Sequence, residues 1–287
     1  MVTLRGDKRR ANQEGMNRND NEPASPAPRP GFDPARAWSE ATAMLKANKA
    51  ILPVLAGLFF LVPQVLMTAL LPDVPANLEG EAATEAALEI FAAWWPLVLA
   101  MALLQATGML AIIVLLADRA RPTVAEALRK AAKSLPVYIA ATLVLVAGVG
   151  LTALLIAMPL AMIGGESGAA VAIVPIIAAG LWVNVRTLVL APVIAAEREG
   201  NPFDALKRSW AMTTGRSARI LFFVMMFVLA ALVVSVVTTA VPGAILVTTL
   251  GQETGRAIVG LIEGFVSAAV MLAWTALIVA IYRQLAR

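Results

Sequence analysis

Long uncharged apolar runs alternate along this chain with short charged clusters. Ile90–Ala117 runs 28 residues without a charge, Ser134–Gly165 runs 32 and Ile220–Gln252 runs 33. A helix crosses the hydrocarbon of a bilayer with about 20 apolar residues, so each run predicts a spanning helix with residues to spare. The whole pattern predicts six spans, at roughly 50–71, 92–117, 136–160, 169–191, 219–242 and 257–282. Pro53, Pro63, Pro159 and Pro175 fall inside or near span ends, where neighbouring helices can satisfy the freed carbonyls. The predicted fold class is all-α, a polytopic membrane bundle of six transmembrane helices.

A different pattern precedes the fifth span. Asn201 suits an N-cap, Pro202 the first helical position and Gly215 the residue just past a helix end. Phe203, Leu206 and Trp210 share one face, with Asp204, Lys207 and Arg208 on the other side. A short helix of this kind is expected to lie in the headgroup plane. Two further stretches repeat the design. Asp33-Pro34 opens one carrying Trp38, Ala41 and Leu45, with Lys46 and Lys49 near its end. Thr123 and Glu126 have capping-box spacing ahead of Ala127-Leu128-Arg129-Lys130-Ala131, which parallels Ala205-Leu206-Lys207-Arg208-Ser209 at an offset of 78. The looser first copy is Ala37-Trp38-Ser39-Glu40-Ala41. The expectation is three repeats, at approximately 32–118, 119–197 and 198–287, each an interfacial amphipathic helix followed by a helical hairpin.

Composition narrows the chemistry. Of 287 residues, 60% are hydrophobic and 15% charged, with no Cys and no His. Imidazole acid–base chemistry, thiolate nucleophiles and His- or Cys-ligated metals are therefore excluded. No cofactor and no metal is expected. Residues 1–31 are polar and rich in Asn, Arg and Pro, which predicts a disordered cytoplasmic tail. The early arginines are not followed by the apolar stretch of a secretory signal, and the start is open between Met1 and Met16.

Charge sets the expected orientation. All but one of the 23 Lys and Arg lie within residues 1–49, in the 118–134 and 192–219 connections, at Arg186 or at the C-terminus. The other side holds Arg256 among Asp73, Glu79, Glu81, Glu85, Glu89, Glu166, Glu253 and Glu263. The positive-inside rule then places both termini in the cytoplasm. Trp94 and Trp95 suit an interfacial aromatic belt at the start of the second span.

Leu190-Ala191-Pro192-Val193, Glu197 and the string FDALKRSWAMTTGRSARIL at 203–221 resemble a signature of bacterial inner-membrane proteins. The family includes YciC-type proteins and the glycerophosphoryl diester phosphodiesterase membrane domain that some of those enzymes carry. Arg186 matches the family's arginine in the span before the signature, and Tyr282-Arg283 its basic ending. The resemblance covers about residues 32–287 and implies a six-helix fold in the bacterial inner (cytoplasmic) membrane. In the fused members hydrolysis belongs to a separate soluble barrel, for which this chain has neither histidines nor room, so phosphodiesterase activity is not expected here.

Arg186, beside Asn184 in the fourth span, is the leading candidate site residue. Intramembrane charges mark functional sites by default. Equally, Arg186 lies about 7.5 Å of helix from Ala191, near enough to snorkel to a phosphate or to hold the structure together. Lys207, Arg208, Trp210, Arg216 and Arg219 are the accompanying candidates for lipid-headgroup or ligand contact. Glu263 is expected at the outer rim, facing Arg256. GGESG at 164–168 is expected to be a turn. Gly260, Gly264 and Ala268 form a small-xxx-small stripe for close helix packing, within the chain or with another copy. Anionic membrane lipid is the expected counterpart of the basic face, rather than nucleic acid; a protein partner or homo-oligomer stays open. Three functions are then in play. The foremost is a non-catalytic lipid- or partner-binding protein affecting envelope organisation. A carrier or flippase for a lipid or small amphiphile is the alternative, and an intramembrane enzyme the third.

Overall fold

The helix starts follow from their caps. Asp33 Oδ1 accepts from the N–H groups of Ala35 and Arg36 at 2.9 and 3.3 Å. Thr123 and Glu126 close a reciprocal box, at 2.9 and 3.3 Å. Asn201 Oδ1 accepts from Phe203 N–H at 3.0 Å. Each satisfies donors that a helix start leaves open.

The computed structural model describes residues 32–286 apart from 73, 76, 119 and 121. Of residues 166, 168, 169, 241, 244, 247, 252 and 253 it describes the backbone alone. The tail at 1–31, Asp73, Arg287 and the side chains of Glu166 and Glu253 thus lie outside the described residues. Those described form helices without strands: α1 (Pro34–Ala47), α2 (Leu52–Leu70), α3 (Gly80–Ala117), α4 (Val124–Gly165), α5 (Ala170–Glu197), α6 (Pro202–Thr213), α7 (Ser217–Leu250) and α8 (Gln252–Leu285). Six of them, α2 to α5 with α7 and α8, are long and apolar enough to cross a membrane.

Several boundaries differ from the sequence expectation. The second short helix is not separate: α4 runs unbroken from Val124 through Pro136 into the third span. One proline removes one N–H, and the rest of the ladder carries the helix across. The acidic stretch from Glu81 to Glu89 is helical as well, as the first turns of α3. The turn expected over 164–168 contracts to Gly165, whose φ of 57° and ψ of −137° break the helical path. Gly251, at φ 82° and ψ 167°, joins α7 to α8. Both hairpins turn on a backbone conformation that side chains with a Cβ avoid. In α2 the helix widens to a π-turn over Gly57–Leu61, just ahead of Pro63, which has no N–H to return to residue 59.

Packing concentrates at one end. Leu110–Val114 of α3, Val189 and Val193–Ala195 of α5 and Ala276–Ile281 of α8 are buried together, with Phe59 and Phe60 of α2. The short helices pack onto this core through small residues. Ala37 and Ala41 of α1, Ala127 and Ala131 of α4, and Ala205 and Ser209 of α6 are all buried. These are the first and fifth positions of the three related strings. Polar ties run between the ends gathered there: Asp33 and Gln284 exchange two bonds at 3.2 Å, and Lys130 Nζ pairs with Asp118 at 2.7 Å. The guanidinium of Arg283 donates to the Leu116 carbonyl.

Candidate functional site

The fourth span breaks near its end. The helical hydrogen-bond ladder is interrupted at Leu188 and Val189, where Val189 leaves the helical dihedrals at φ −93° and ψ 13°, and it resumes at Leu190. Pro192 contributes to the break, because it returns no N–H toward residue 188. At the break, the Arg186 carbonyl accepts from Ser209 Oγ at 2.9 Å and from Thr213 Oγ1 at 3.3 Å. Two hydroxyls of α6 thereby fasten it to α5.

The Arg186 side chain adds a second fastening. Its guanidinium carbon lies 5.2 Å from the Trp182 ring centre and 5.3 Å from that of Trp210. The two indoles meet edge-on at 4.8 Å. Nη1 donates to Thr214 Oγ1 at 2.5 Å and to the Trp210 carbonyl at 3.5 Å. Nε is buried without a hydrogen-bond partner, a cost that the two cation–π contacts offset. The guanidinium is thus committed to α6 and two indoles, and no contact with Glu263 enters its environment. Glu263 itself is exposed on α8.

The other candidates divide into three sets. Arg208 Nε pairs with Glu197 Oε2 at 3.2 Å, and Tyr282 donates to Glu197 Oε1 at 3.1 Å. Glu197 therefore ties α6 and α8 to the end of α5. Lys207 is exposed and only 3.7 Å from Asp204; Asn184 and Arg219 are exposed, and Arg216 is half-buried where α7 begins. Gly260, Gly264 and Ala268 are buried, and the two glycines face α2. A Cβ on Gly264 would lie 2.8 Å from Leu61, and one on Gly260 3.2 Å from Thr68. The small-residue stripe thus packs within the chain.

Two grooves open beside the short helices. One, of about 390 Å³, runs between α4 and α5; Gly148, Thr152 and Gly180 lie along it, and Lys207 and Trp210 of α6 close one end. Its walls are almost wholly apolar. The other, of about 460 Å³, lies between α7 and α8 and meets Trp38 of α1. Sequence reasoning singled out Lys207 and Trp210 but missed the grooves, the Trp182–Trp210 pair and the Ser209, Thr213 and Thr214 hydroxyls. The spacing of those hydroxyls on one short helix, opposite an intramembrane arginine, was the available signal.

No family model, curated protein or solved structure matches the chain.

Proposed function

We propose that this chain is a non-catalytic, lipid-binding membrane protein. In this reading the α4/α5 groove takes an acyl chain, while Lys207 and Trp210 meet the headgroup of an anionic phospholipid. The observation that carries it is the groove itself: apolar along its walls, with a cation and an indole at the end where the basic side chains gather. From Val144 to Ile156 its α4 wall covers about 18 Å at 1.5 Å per residue, over half of the roughly 30 Å hydrocarbon thickness. Indoles favour the interface for the same reason, being apolar with one polar edge.

The charge distribution supports an orientation with the packed end and both termini in the cytoplasm. The resemblance at 190–221 supports a bacterial inner membrane. Three repeats are part of this proposal. The two short helices and the first turns of α4 each bury the same two small positions, and two hairpins carry a groove that meets a tryptophan of a short helix from another repeat. The carrier alternative drew its support from the repeats, the prolines within spans and Arg186. That side chain is engaged by Trp182, Trp210 and Thr214, which favours a fastening role.

Native mass spectrometry of the gently extracted protein tests the proposal. Wild type is expected to retain an anionic phospholipid. Gly180→Leu, at a helical position with open space around its Cβ, is expected to fill the groove and release that lipid with little loss of stability. A wild type that retains no lipid, or a Gly180→Leu protein that retains as much, would sink the reading.

A further inference from the structure

A larger concavity lies apart from that groove, between the first turns of α4 and the segment following α5. It encloses about 790 Å³, within the 300–1,000 Å³ range of small-molecule sites. On α4, Glu126, Arg129, Lys130 and Lys133 are spaced i, i+3, i+4 and i+7, so one face presents all four. Ile194 and Ala195 give the facing wall a buried apolar floor, and Arg198 follows them.

The charges here are unevenly matched. Lys130 is paired with Asp118, Glu126 accepts from the Thr123 N–H, and Glu199 adds a second carboxylate to the lining. Arg129, Lys133 and Arg198 form no ion pair among the described residues. Four cations against two carboxylates leave the lining with a positive balance that attracts an anion. The backbone carries a cost of its own. Arg198 sits at φ 59° and ψ 38°, the left-handed conformation that glycine usually takes after a helix. It is the one non-glycine residue with positive φ among those described. Strain of this kind persists where the surroundings hold it and gathers at functional sites. The geometry holds an arginine where a glycine would cost less.

We infer that this cavity binds a phosphate group, carried by a lipid headgroup or by a soluble phosphorylated molecule, with Arg129, Lys133 and Arg198 as its ligands. A phosphate offers several charged acceptor oxygens on a compact centre. The forks of two arginines pair with such oxygens bidentately, and Lys133 adds a point charge. The apolar floor leaves room for the body to which the phosphate is attached. These residues are separate from the α4/α5 groove, so either site can fail alone.

The test uses the full chain in phosphatidylcholine nanodiscs. One arm titrates inorganic pyrophosphate calorimetrically. The other replaces part of the phosphatidylcholine with phosphatidylglycerol and counts retained lipid by native mass spectrometry. Arg129→Gln/Lys133→Gln is compared with Lys46→Gln/Lys49→Gln, which removes the same charge from the exposed end of α1. The cavity variant is expected to weaken binding at least about tenfold in one arm, as loss of charge-assisted bonds predicts, while the α1 variant binds like wild type. A pyrophosphate response assigns a soluble ligand; a response to phosphatidylglycerol alone assigns a headgroup. Equal weakening by both double variants, or no binding in either arm, overturns the site. Arg198→Gly guards against a trivial folding defect: its melting temperature should hold or rise as the strain is relieved, while binding falls. Undiminished binding by Arg198→Gly would overturn the site as drawn.

Discussion

Two regions of this molecule are both rich in large apolar side chains and are differently built. At the packed end Ile194, Leu277, Val279 and Ile281 are fully or almost fully buried. In the open half, Met162 and Ile163 of α4 are 77% and 88% exposed, and Leu229, Val233 and Val237 of α7 are exposed too. Lipid tails are as apolar as leucine, so exposure in a bilayer carries no penalty that would drive these helices together. What distinguishes the packed end is small residues that let backbones approach, with polar groups that tie them. Gly108 shows the first: a Cβ there would fall inside the Phe59 side chain. Arg186, Glu197 and Asp33 show the second.

The same substitution placed in the two regions tests that contrast most severely. Gly108→Leu is expected to abolish a monodisperse peak in detergent, since overpacking costs about 1–3 kcal/mol or more and Phe59 has no room to yield. Gly148→Leu meets open space and is expected to shift stability by less than about 1 kcal/mol, in the stabilising direction. Similar melting temperatures for the two variants would break the comparison. Arg186→Leu comes next. It loses two cation–π contacts and the bond to Thr214, and is expected to cost about 2 kcal/mol. Arg186→Lys should fall between, because a compact ammonium keeps the charge near the two perpendicular indoles but lacks the guanidinium's planar face and fork. A silent Arg186→Leu would mean that the side chain fastens nothing.

A smaller effect is expected at Tyr282. Tyr282→Phe removes one bond to Glu197 and should cost about 1 kcal/mol. In a double-mutant cycle with Glu197→Gln, the two changes should be non-additive. Additive losses would separate the ends of α5 and α8 energetically.

The six spans and three caps were legible because they are local. Uncharged length announces a span, and Asp33, Thr123 with Glu126, and Asn201 each act within three residues of themselves. The helix ends were less legible. Nothing in the charge pattern revealed that α3 starts at Gly80, or that α4 continues through Pro136, since a helix leaving the bilayer can carry polar residues onward. The packed face of α6 went unread for another reason. Its aromatic stripe drew notice, yet Ala205, Ser209, Met212 and Thr213 are the buried positions, while Phe203 is 56% exposed. In apolar surroundings close approach selects small side chains, and large ones are free to face lipid. Glu197 with Arg208 and Tyr282, and Asp33 with Gln284, join residues 11, 85 and 251 positions apart. Such partners follow only once the helices are placed.

The smallest expected effect concerns pH, and it too belongs to the packed end. The Lys130 ammonium, bonded to Asp118 at 2.7 Å, and then the Ala120 N–H hold the Asp118 carboxyl below its usual range. Arg198 acts in the same direction, more weakly. A folded-state pKa below the unfolded one means that the unfolded chain takes up the proton more readily. The stabilisation is therefore complete above the unfolded value, near 3.9. It is lost as pH falls through that value and then through the lower folded one. An exposed pair of this kind contributes about 0.5 kcal/mol. Melting temperatures of wild type and Asp118→Asn, measured from pH 7 to pH 3, should differ by a small constant amount down to about pH 5 and converge below about pH 4. If Asp118→Asn keeps its deficit at the lowest pH, the pair is not what stabilises the α3–α4 connection, and the Asp118 bond to Ala120 alone would have to account for the loss.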